Sequence, residues 1–382
     1  MSIRIQDTDS ETDAMTGFET ARKGTLKDIA RIAGVDVSTV SRAVNNSPLI
    51  SAEIKERVLA IAERLNYIPN SLGRGLVSQR NETLGIILPK IDFLQGPFFS
   101  KVLSGIEQVS VENGYNILIA SAMSKTRDKH FPFNLTRARR IDGMLVINEY
   151  QVIRDLAALK EENFPLVFVN RKINDPEIHC VSSDNAQGGR LAAAHLIGLG
   201  HRRIGVVTGK FNLASTHERL EGHKGALEQH GIPFNEELVR EGLFELGIES
   251  GQRCGEALLA LSDRPTAIFA FSDELAIGVM QAARARGLRI PEDLAIVGYD
   301  NMEYSAHLSP RLTTIAQSPH TIGSAACRML VDILNGRQAE ENKILIPVKL
   351  VIRDSCGSGI SPIKPARRAR DEQPTFVPPP AV

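Results

Sequence analysis

Between Thr25 and Asn45 the sequence TLKDIARIAGVDVSTVSRAVN sets small hydroxyl side chains and one arginine where a helix would present them to solvent. Val37, Ser38, Thr39, Ser41 and Arg42 carry no bulk that would keep the helix out of a groove. The Arg42 guanidinium has the forked geometry that grips the edge of a guanine in the major groove. This is the chemistry of reading bases, not of breaking bonds. The elements that must hold these residues are legible around them. Thr25 caps a first helix, with Asp28 three residues on as reciprocal partner. Leu26, Ile29, Ala30 and Ala33 recur at helical spacing. Gly34 supplies the left-handed residue that ends that helix, and Val35 and Val40 close the core. Asp36 is placed to cap the second helix. A helix pair from an enzyme's helical domain is the competing reading. Ala30, Gly34 and Val40 form a joint constraint, however, and a face rich in Ser and Thr is poor packing surface.

A third helix follows the loop NSPLI. Ser51 caps it, and Ile54, Val58, Ile61, Ala62 and Leu65 form its apolar stripe. Pro69 ends the helical pattern, and SLGRGLVSQR is too short and glycine-rich to fold alone, so it reads as a linker that orders only against a partner. From Thr83 the character changes to alternating strands and helices. LGIILP, YNILIA, IDGMLVI and PLVFVN read as strands of one series, with a helix over PFFSKVLSGIEQVSVENG. After Asp184, RIGVVTG, TAIFAFS and LAIVGYD read as strands of a second series, with helices over GRLAAAHLIGLG, HERLEGHKGALEQHG and DELAIGVMQAARARG. The fold class is therefore multidomain: an all-α helix-turn-helix headpiece plus an α/β core of two doubly wound parallel sheets facing across a cleft. Ligands bind such sheets at the carboxyl ends of the strands.

The expected organisation is a disordered extension over 1–23 (with Met15 a possible start), a headpiece over 24–68 and a hinge over 69–82. The core spans 83–357 and a disordered tail 358–382. Within the core, 83–182 and 316–342 make one subdomain, and 183–315 and 343–357 the other. With 382 residues, 42% hydrophobic and 24% charged, the chain has the composition of a globular protein with a large core. Net formal charge is zero, but Ala21–Arg80 holds ten Lys/Arg against five Asp/Glu. The positive footprint of a polyanion binder is thus concentrated at one end. Cys180, Cys254, Cys327 and Cys356 form no CxxC or Cys/His cluster and read as buried thiols in a reducing compartment. No apolar run reaches the roughly 18 residues of a membrane helix, and no secretory signal opens the chain. The expectation is a cytoplasmic, nucleoid-associated protein with no membrane partner, no metal and no cofactor. No GxGxxG opens a βα unit, and GxxxxGK[ST], GxSxG and HExxH are missing, so enzyme chemistry is not expected. His179, His195, His201 and His223 read as isolated structural or surface residues.

These motifs together resemble the LacI/GalR repressors. The likeness runs from Thr25 to about Ser355 and includes NYIPNSLGRGL, LGHRRIGVVTG, ERLEGHKGAL, RPTAIFAFSDELAIGVM, GLRIPEDLAIVGYDN and LTTIAQ. The resemblance implies a sequence-specific transcriptional regulator, a homodimer on a palindromic operator, whose affinity is set by a small-molecule effector in the core cleft. A sugar or sugar derivative is the expected effector, with a nucleoside- or purine-responsive regulator as the alternative. A solute-binding protein is the less favoured reading. By resemblance, Val37, Ser38 and Arg42 read bases, and Thr39, Ser41, Asn45 and Ser51 hold phosphates. Thr25 completes the DNA-facing set, and Leu76 is the wedge leucine that opens the central base step from the minor groove. Asp36 stands where the family commonly has Ser. In the core, Arg219 and Asp300 match the family's ligand-clamping pair, a forked donor and a two-oxygen acceptor suited to adjacent hydroxyls. Asn170, Ser215, Ser272 and Phe98 complete the expected site. The competing local roles are a turn cap for Asp300, an ion pair with Glu221 for Arg219, and a core position for Phe98.

The hinge reads GRGL where the family usually has alanine before the arginine, and each glycine costs a helix about 1 kcal/mol relative to alanine. Gly73→Ala is therefore expected to tighten operator binding by up to about 1 kcal/mol per hinge. An electrophoretic mobility shift checks this; unchanged or weaker affinity contradicts it.

Overall fold

Three short amphipathic helices have enough apolar surface to close a core only if each buries its stripe against the other two. The computed structural model of the chain, which describes residues 24–67, 80–89, 96–121, 133–147, 159, 162–173, 175–337 and 341–357, shows that arrangement. Helices α1 (Leu26–Ala33), α2 (Val37–Val44) and α3 (Ala52–Arg64) bury Ile29, Ala30, Ala33, Val40, Ala43, Val58 and Ala62. Val35, Ile54, Ile61 and Leu65 pack around them, partly buried. The Thr25 box forms as expected: Asp28 N–H donates to Thr25 Oγ1 over 3.3 Å, and Thr25 N–H donates to Asp28 Oδ2 over 3.0 Å. Gly34 takes φ +68° and donates its N–H to Ala30 O, ending α1 where a Cβ would be strained. Asp36 departs from expectation. It precedes α2 in extended backbone, but its carboxylate caps nothing. Leu76 and the hinge over 69–82 fall mostly outside the described residues, as do the terminal segments 1–23 and 358–382.

The chain divides into two units at Asn81 and Glu82. In the second, strands buried on both faces read as continuous apolar runs and pair in parallel. The first sheet holds β1 (Thr83–Leu88), β2 (Asn116–Ser121), β3 (Gly143–Ile147), β4 (Leu166–Val169), β5 (His179–Ser183) and β11 (Lys343–Ile346), in the order β11-β5-β4-β3-β1-β2, all parallel. The second holds β6 (Ile204–Thr208), β7 (Val239–Glu241), β8 (Ala267–Ala270), β9 (Ala295–Asp300), β10 (Thr313–Ala316) and β12 (Lys349–Val351), in the order β12-β10-β9-β8-β6-β7. Only the edge strand β12 runs antiparallel to its neighbour. Helices α4 (Pro97–Glu112) and α10 (Pro319–Leu334) pack together beside the first sheet, with α5 (Phe133–Arg137) in the same half. Pairs α6 (Asn185–Gly198) with α7 (Ala214–Gln229), and α8 (Gly247–Leu259) with α9 (Asp273–Ala285), flank the second.

Among the described residues the chain passes between the sheets three times: after Ser183, after Ala316 and after Ile346. Strand β11 pairs with β5, Lys343 opposite Cys180, so the last passage falls at 347–348 and not at the expected 342–343. Strand β11 follows one lysine with a short apolar run, Ile344–Ile346, and stays half-exposed where the central strands are fully buried.

Helices α4 and α10 approach so closely that a Cβ on Gly105 would lie 2.1 Å from His320 O, and one on Gly323 would lie 2.0 Å from Val102 O. Both neighbours are backbone and cannot rotate away. Gly105→Ala or Gly323→Ala is expected to cost about 1–3 kcal/mol or more by forcing the helices apart. Urea denaturation checks it; an unchanged midpoint with unchanged slope contradicts the close packing.

Candidate functional site

Helix α2 is eight residues long and buries only Val40 and Ala43, because α1 and α3 cover one side of it alone. Val37, Ser38 and Arg42 are exposed, Thr39 and Ser41 are half-buried, and Asn45 is exposed at the C-cap. Arg42 makes no hydrogen bond or ion pair among the described residues, so its donors are uncommitted. Thr25 is exposed but differently engaged: its hydroxyl donates to Asp28 Oδ2 over 2.7 Å as part of the cap. Ser51 Oγ accepts from Ile54 N–H at a long 3.5 Å, and its own proton has no protein partner. Sequence reasoning passed over Leu49, 78% exposed in the loop between α2 and α3. An apolar residue inside NSPLI was the available signal.

In the core, the expected residues lie at or beyond the carboxyl ends of strands. Asn170 follows β4 with φ +56°, its Oδ1 buried without a hydrogen-bond partner. Asp300 closes β9 at φ +110°, and Asn301 follows at +54°. Backbone of this kind costs of order 1–3 kcal/mol at a non-glycine residue and clusters at ligand sites. The strained turn is held from below: Met302 N–H donates to Asp273 Oδ2 over 2.7 Å, and Thr314 Oγ1 lies 2.5 Å from Asp273 Oδ1. It is held from the side as well, where Arg353 Nη2 donates to Asn301 Oδ1 over 2.6 Å. Asp300 Oδ1 accepts from Gln317 Nε2 over 2.6 Å instead of capping its own turn.

Arg219, on α7, is 4% exposed. Its Nε donates to Asn185 Oδ1 over 2.9 Å, its Nη1 donates to Phe271 O, and the guanidinium carbon sits 3.6 Å from the Tyr299 ring centroid. The alternative pairing with Glu221 does not form; Glu221 faces Lys224. Ser215 is half-buried in the same first turn as Thr216, whose fully buried Oγ1 has no partner. Ser272 caps α9 through its hydroxyl, accepting from Leu275 N–H over 3.1 Å. Phe98 is half-buried, packs edge-to-face on Phe99 with ring centroids 5.2 Å apart, and leans on the first core. Arg219 and Asp300 thus share one charged cluster, Ser272 serves its helix, and Phe98 keeps a largely packing role. Asn185, Asp273 and Gln317 were missed. Each gains its partners from a segment far away in sequence.

The histidines are less isolated than expected: His195 Nε2 lies 3.2 Å from Cys356 Sγ, and His201 Nδ1 lies 2.9 Å from Thr266 Oγ1. His223 is buried on Phe269, and burial lowers its pKa to about 4. Burial raises Asp273 to about 8, helped by the nearby Asp300 charge. Burial also raises Asp300 to about 7, although the residue as a whole is half-buried and the Arg219 charge opposes the shift. Among the described residues no helix is long and apolar enough to cross a membrane.

Comparison with known proteins agrees with this geometry. Residues 25–70 match the profile of bacterial regulatory proteins of the lacI family, and residues 193–356 match a periplasmic binding protein-like domain. The chain is 33% identical over 333 residues to the probable HTH-type transcriptional repressor ExuR of Bacillus subtilis, covering 87% of this chain and 98% of the relative. It is 34% identical over 334 residues to the ribose operon repressor of Haemophilus influenzae, with the same coverage. Among solved structures, a Lac repressor dimer bound to operator and an anti-inducer superposes with a TM-score of 0.78 at 30% identity, covering 87% of this chain and 99% of that one. A helix-turn-helix unit of the lacI type ahead of a periplasmic-binding-like core of two sheets defines a DNA-binding transcriptional regulator. The chain belongs to the lacI family of bacterial regulatory proteins.

The raised carboxyl values set a sign for stability. Above about pH 7.5 the unfolded His223 is almost entirely neutral, so the buried carboxyls dominate. The folded protein holds protons that the unfolded chain has lost, and stability falls as pH rises toward 8. Urea midpoints measured from pH 6.5 to 8.5 are expected to decline, and Asp273→Asn is expected to flatten most of that decline. A flat profile in the parent protein contradicts the assignment.

Proposed function

We propose that this protein binds a near-palindromic operator as a homodimer and represses transcription under control of a small polar effector held in the core cleft. The observations that carry the reading are an uncommitted Ser38–Arg42 helix face and, in the core, the Arg219–Asp300 charge pair together with Asn170 Oδ1 and Thr216 Oγ1, both buried without partners, Thr216 standing one helical turn before Arg219. Buried polar atoms are satisfied by a partner in nearly all proteins, and a hydroxyl-bearing ligand supplies one. Val37, Ser38 and Arg42 read bases, while Thr39, Ser41, Asn45 and Ser51 hold phosphates. Thr25 contributes through the helix end it caps, and Leu76 wedges the minor groove. Two headpieces related by a two-fold axis meet two half-sites. Arg219, Asp300, Asn170 and Ser215 face the effector, with Ser272 and Phe98 at its margin.

A sugar or sugar derivative fits this donor and acceptor set best. A related LacI-family regulator from Enterococcus faecium, 30% identical with a TM-score of 0.63, was solved with bound ribose. A purine is the second reading, favoured by the Phe98–Phe99 aromatic pair; relatives named HTH-type transcriptional repressor PurR, one of them 31% identical from Photobacterium profundum, are consistent with it. The regulator carries out no reaction of its own and works in the cytoplasm on chromosomal DNA. Effector binding changes how the subdomains close, and so how the two hinges leave the core, typically coupling the sites by 1–3 kcal/mol.

Mobility shifts on the DNA upstream of the protein's own gene, with and without sugars and purine bases, test the function. Arg42→Ala is expected to weaken specific binding by about 1–3 kcal/mol while sparing non-specific binding. Equal losses on both would refute base reading.

A further inference from the structure

Both charged residues of the cleft are hydrogen-bonded to the places where the chain crosses between the sheets. Gln317 sits on the passage that follows β10, is 8% exposed, and uses both ends of its amide. Its Nε2 donates to Asp300 Oδ1 over 2.6 Å, and its Oε1 accepts from Ser183 Oγ over 2.5 Å. Ser183, 1% exposed, ends β5 at the first passage. One residue on, Asp184 N–H donates to Ile346 O over 3.0 Å, tying the first passage to the third. Two residues on, Asn185 Oδ1 accepts from Arg219 Nε over 2.9 Å. Above about pH 7, where Asp300 is ionised, the amide orientation of Gln317 follows from chemistry: a carboxylate only accepts, so the NH2 group must face it, leaving Oε1 for the serine proton.

We propose that Gln317 and Ser183 are positioning residues that transmit the state of Asp300 to the crossover segments, making the hinge of the core sensitive to occupation of the cleft. The inference rests on the effector reading of Asp300 given above, and it assigns that site its mechanical output. A ligand hydroxyl that donates to Asp300 competes with Gln317 for the same carboxylate. When Gln317 Nε2 loses that acceptor, its amide turns or shifts, and the Ser183 hydroxyl loses the oxygen to which it donates. Ser183 and Asp184 then lose the anchor beside the bond that joins the first and third passages. Interior hydrogen bonds of this kind act as a unit, because an unpaired buried partner costs more than the bond contributes. Arg219 acts on the same segment through Asn185, so both arms of the clamp converge on residues 183–188.

The test needs neither effector nor operator, so its outcome is separable from that of the effector reading. Hydrogen–deuterium exchange by mass spectrometry is measured on the full-length protein and on Asp300→Ala, Asp300→Asn, Gln317→Met and the Asp300→Ala/Gln317→Met double variant. Asp300→Ala is expected to speed exchange in the peptide covering 183–188 by about threefold or more, whereas Asp300→Asn, which keeps an acceptor oxygen, stays near the parent rate. In the Gln317→Met background, Asp300→Ala is expected to add little, because the relay is already cut. Should Asp300→Ala fail to fold, Ser183→Ala is read instead at the peptide covering 300–306, with Ser183→Thr restoring the parent rate. No change at 183–188 in Asp300→Ala, or the same increase with and without Gln317, overturns the proposal; so does, in the reverse arm, equal exchange in Ser183→Ala and Ser183→Thr.

Discussion

The turn after β9 is where this core is most constrained. Asp300 stands at φ +110° and Asn301 at +54°, backbone that L-residues avoid unless neighbours over-determine it. The neighbours are a buried carboxylate, Asp273, gripping Met302 N–H and Thr314, and a guanidinium, Arg353, gripping Asn301. Remove that scaffold and nothing local keeps the Asp300 carboxylate beside Gln317 and Arg219. The cost of the arrangement shows in the same groups: burial holds Asp273 and Asp300 well above the ordinary carboxylate range. A site that must present charge from a desolvated turn carries that penalty, and hydrogen bonds offset it only in part.

Arg219 shows the complementary solution. A cation at 4% exposure is tolerable because Asn185, the Phe271 carbonyl and the Tyr299 ring face together replace its water. All three partners come from different elements: the start of α6, the end of β8 and the end of β9. The guanidinium therefore reports on how these elements sit, and moving any one of them changes its energy. A guanidinium held this way couples three elements mechanically.

The headpiece follows the opposite strategy. Its three helices close a small core of Ile, Val and Ala, and the exposed face of α2 takes no part in it. Among the described residues the side chains of Arg42 and Ser38 have no hydrogen-bond or ion-pair partner, so their donors are uncommitted. Thr25 differs, being tied to Asp28, and Asp36 leaves the amino end of α2 without a side-chain cap. The uncapped end leaves the first backbone N–H groups of α2 without a side-chain acceptor.

How much of this was legible in the sequence follows from the range of the interactions involved. Helical spacing, the Thr25–Asp28 box, Gly34 and the apolar strand runs are local properties, so the three-helix unit and the two-sheet core could be read from the chain alone. Arg219 and Asp300 were reached by resemblance, since a charged residue near a strand end has several local roles open to it. Helices α8 and α10 were passed over although both carry an apolar stripe. Gln317, Asp273 and Asn185 have meaning only through partners 17 to 134 residues away. The sequence by itself determined the elements, the exposed polar face of α2 and the class of protein, because each of those rests on neighbours within a few turns of chain. Tertiary structure alone decided which buried polar groups meet at the crossovers, because hydrogen bonds between distant strands exist only once the sheets have been laid side by side.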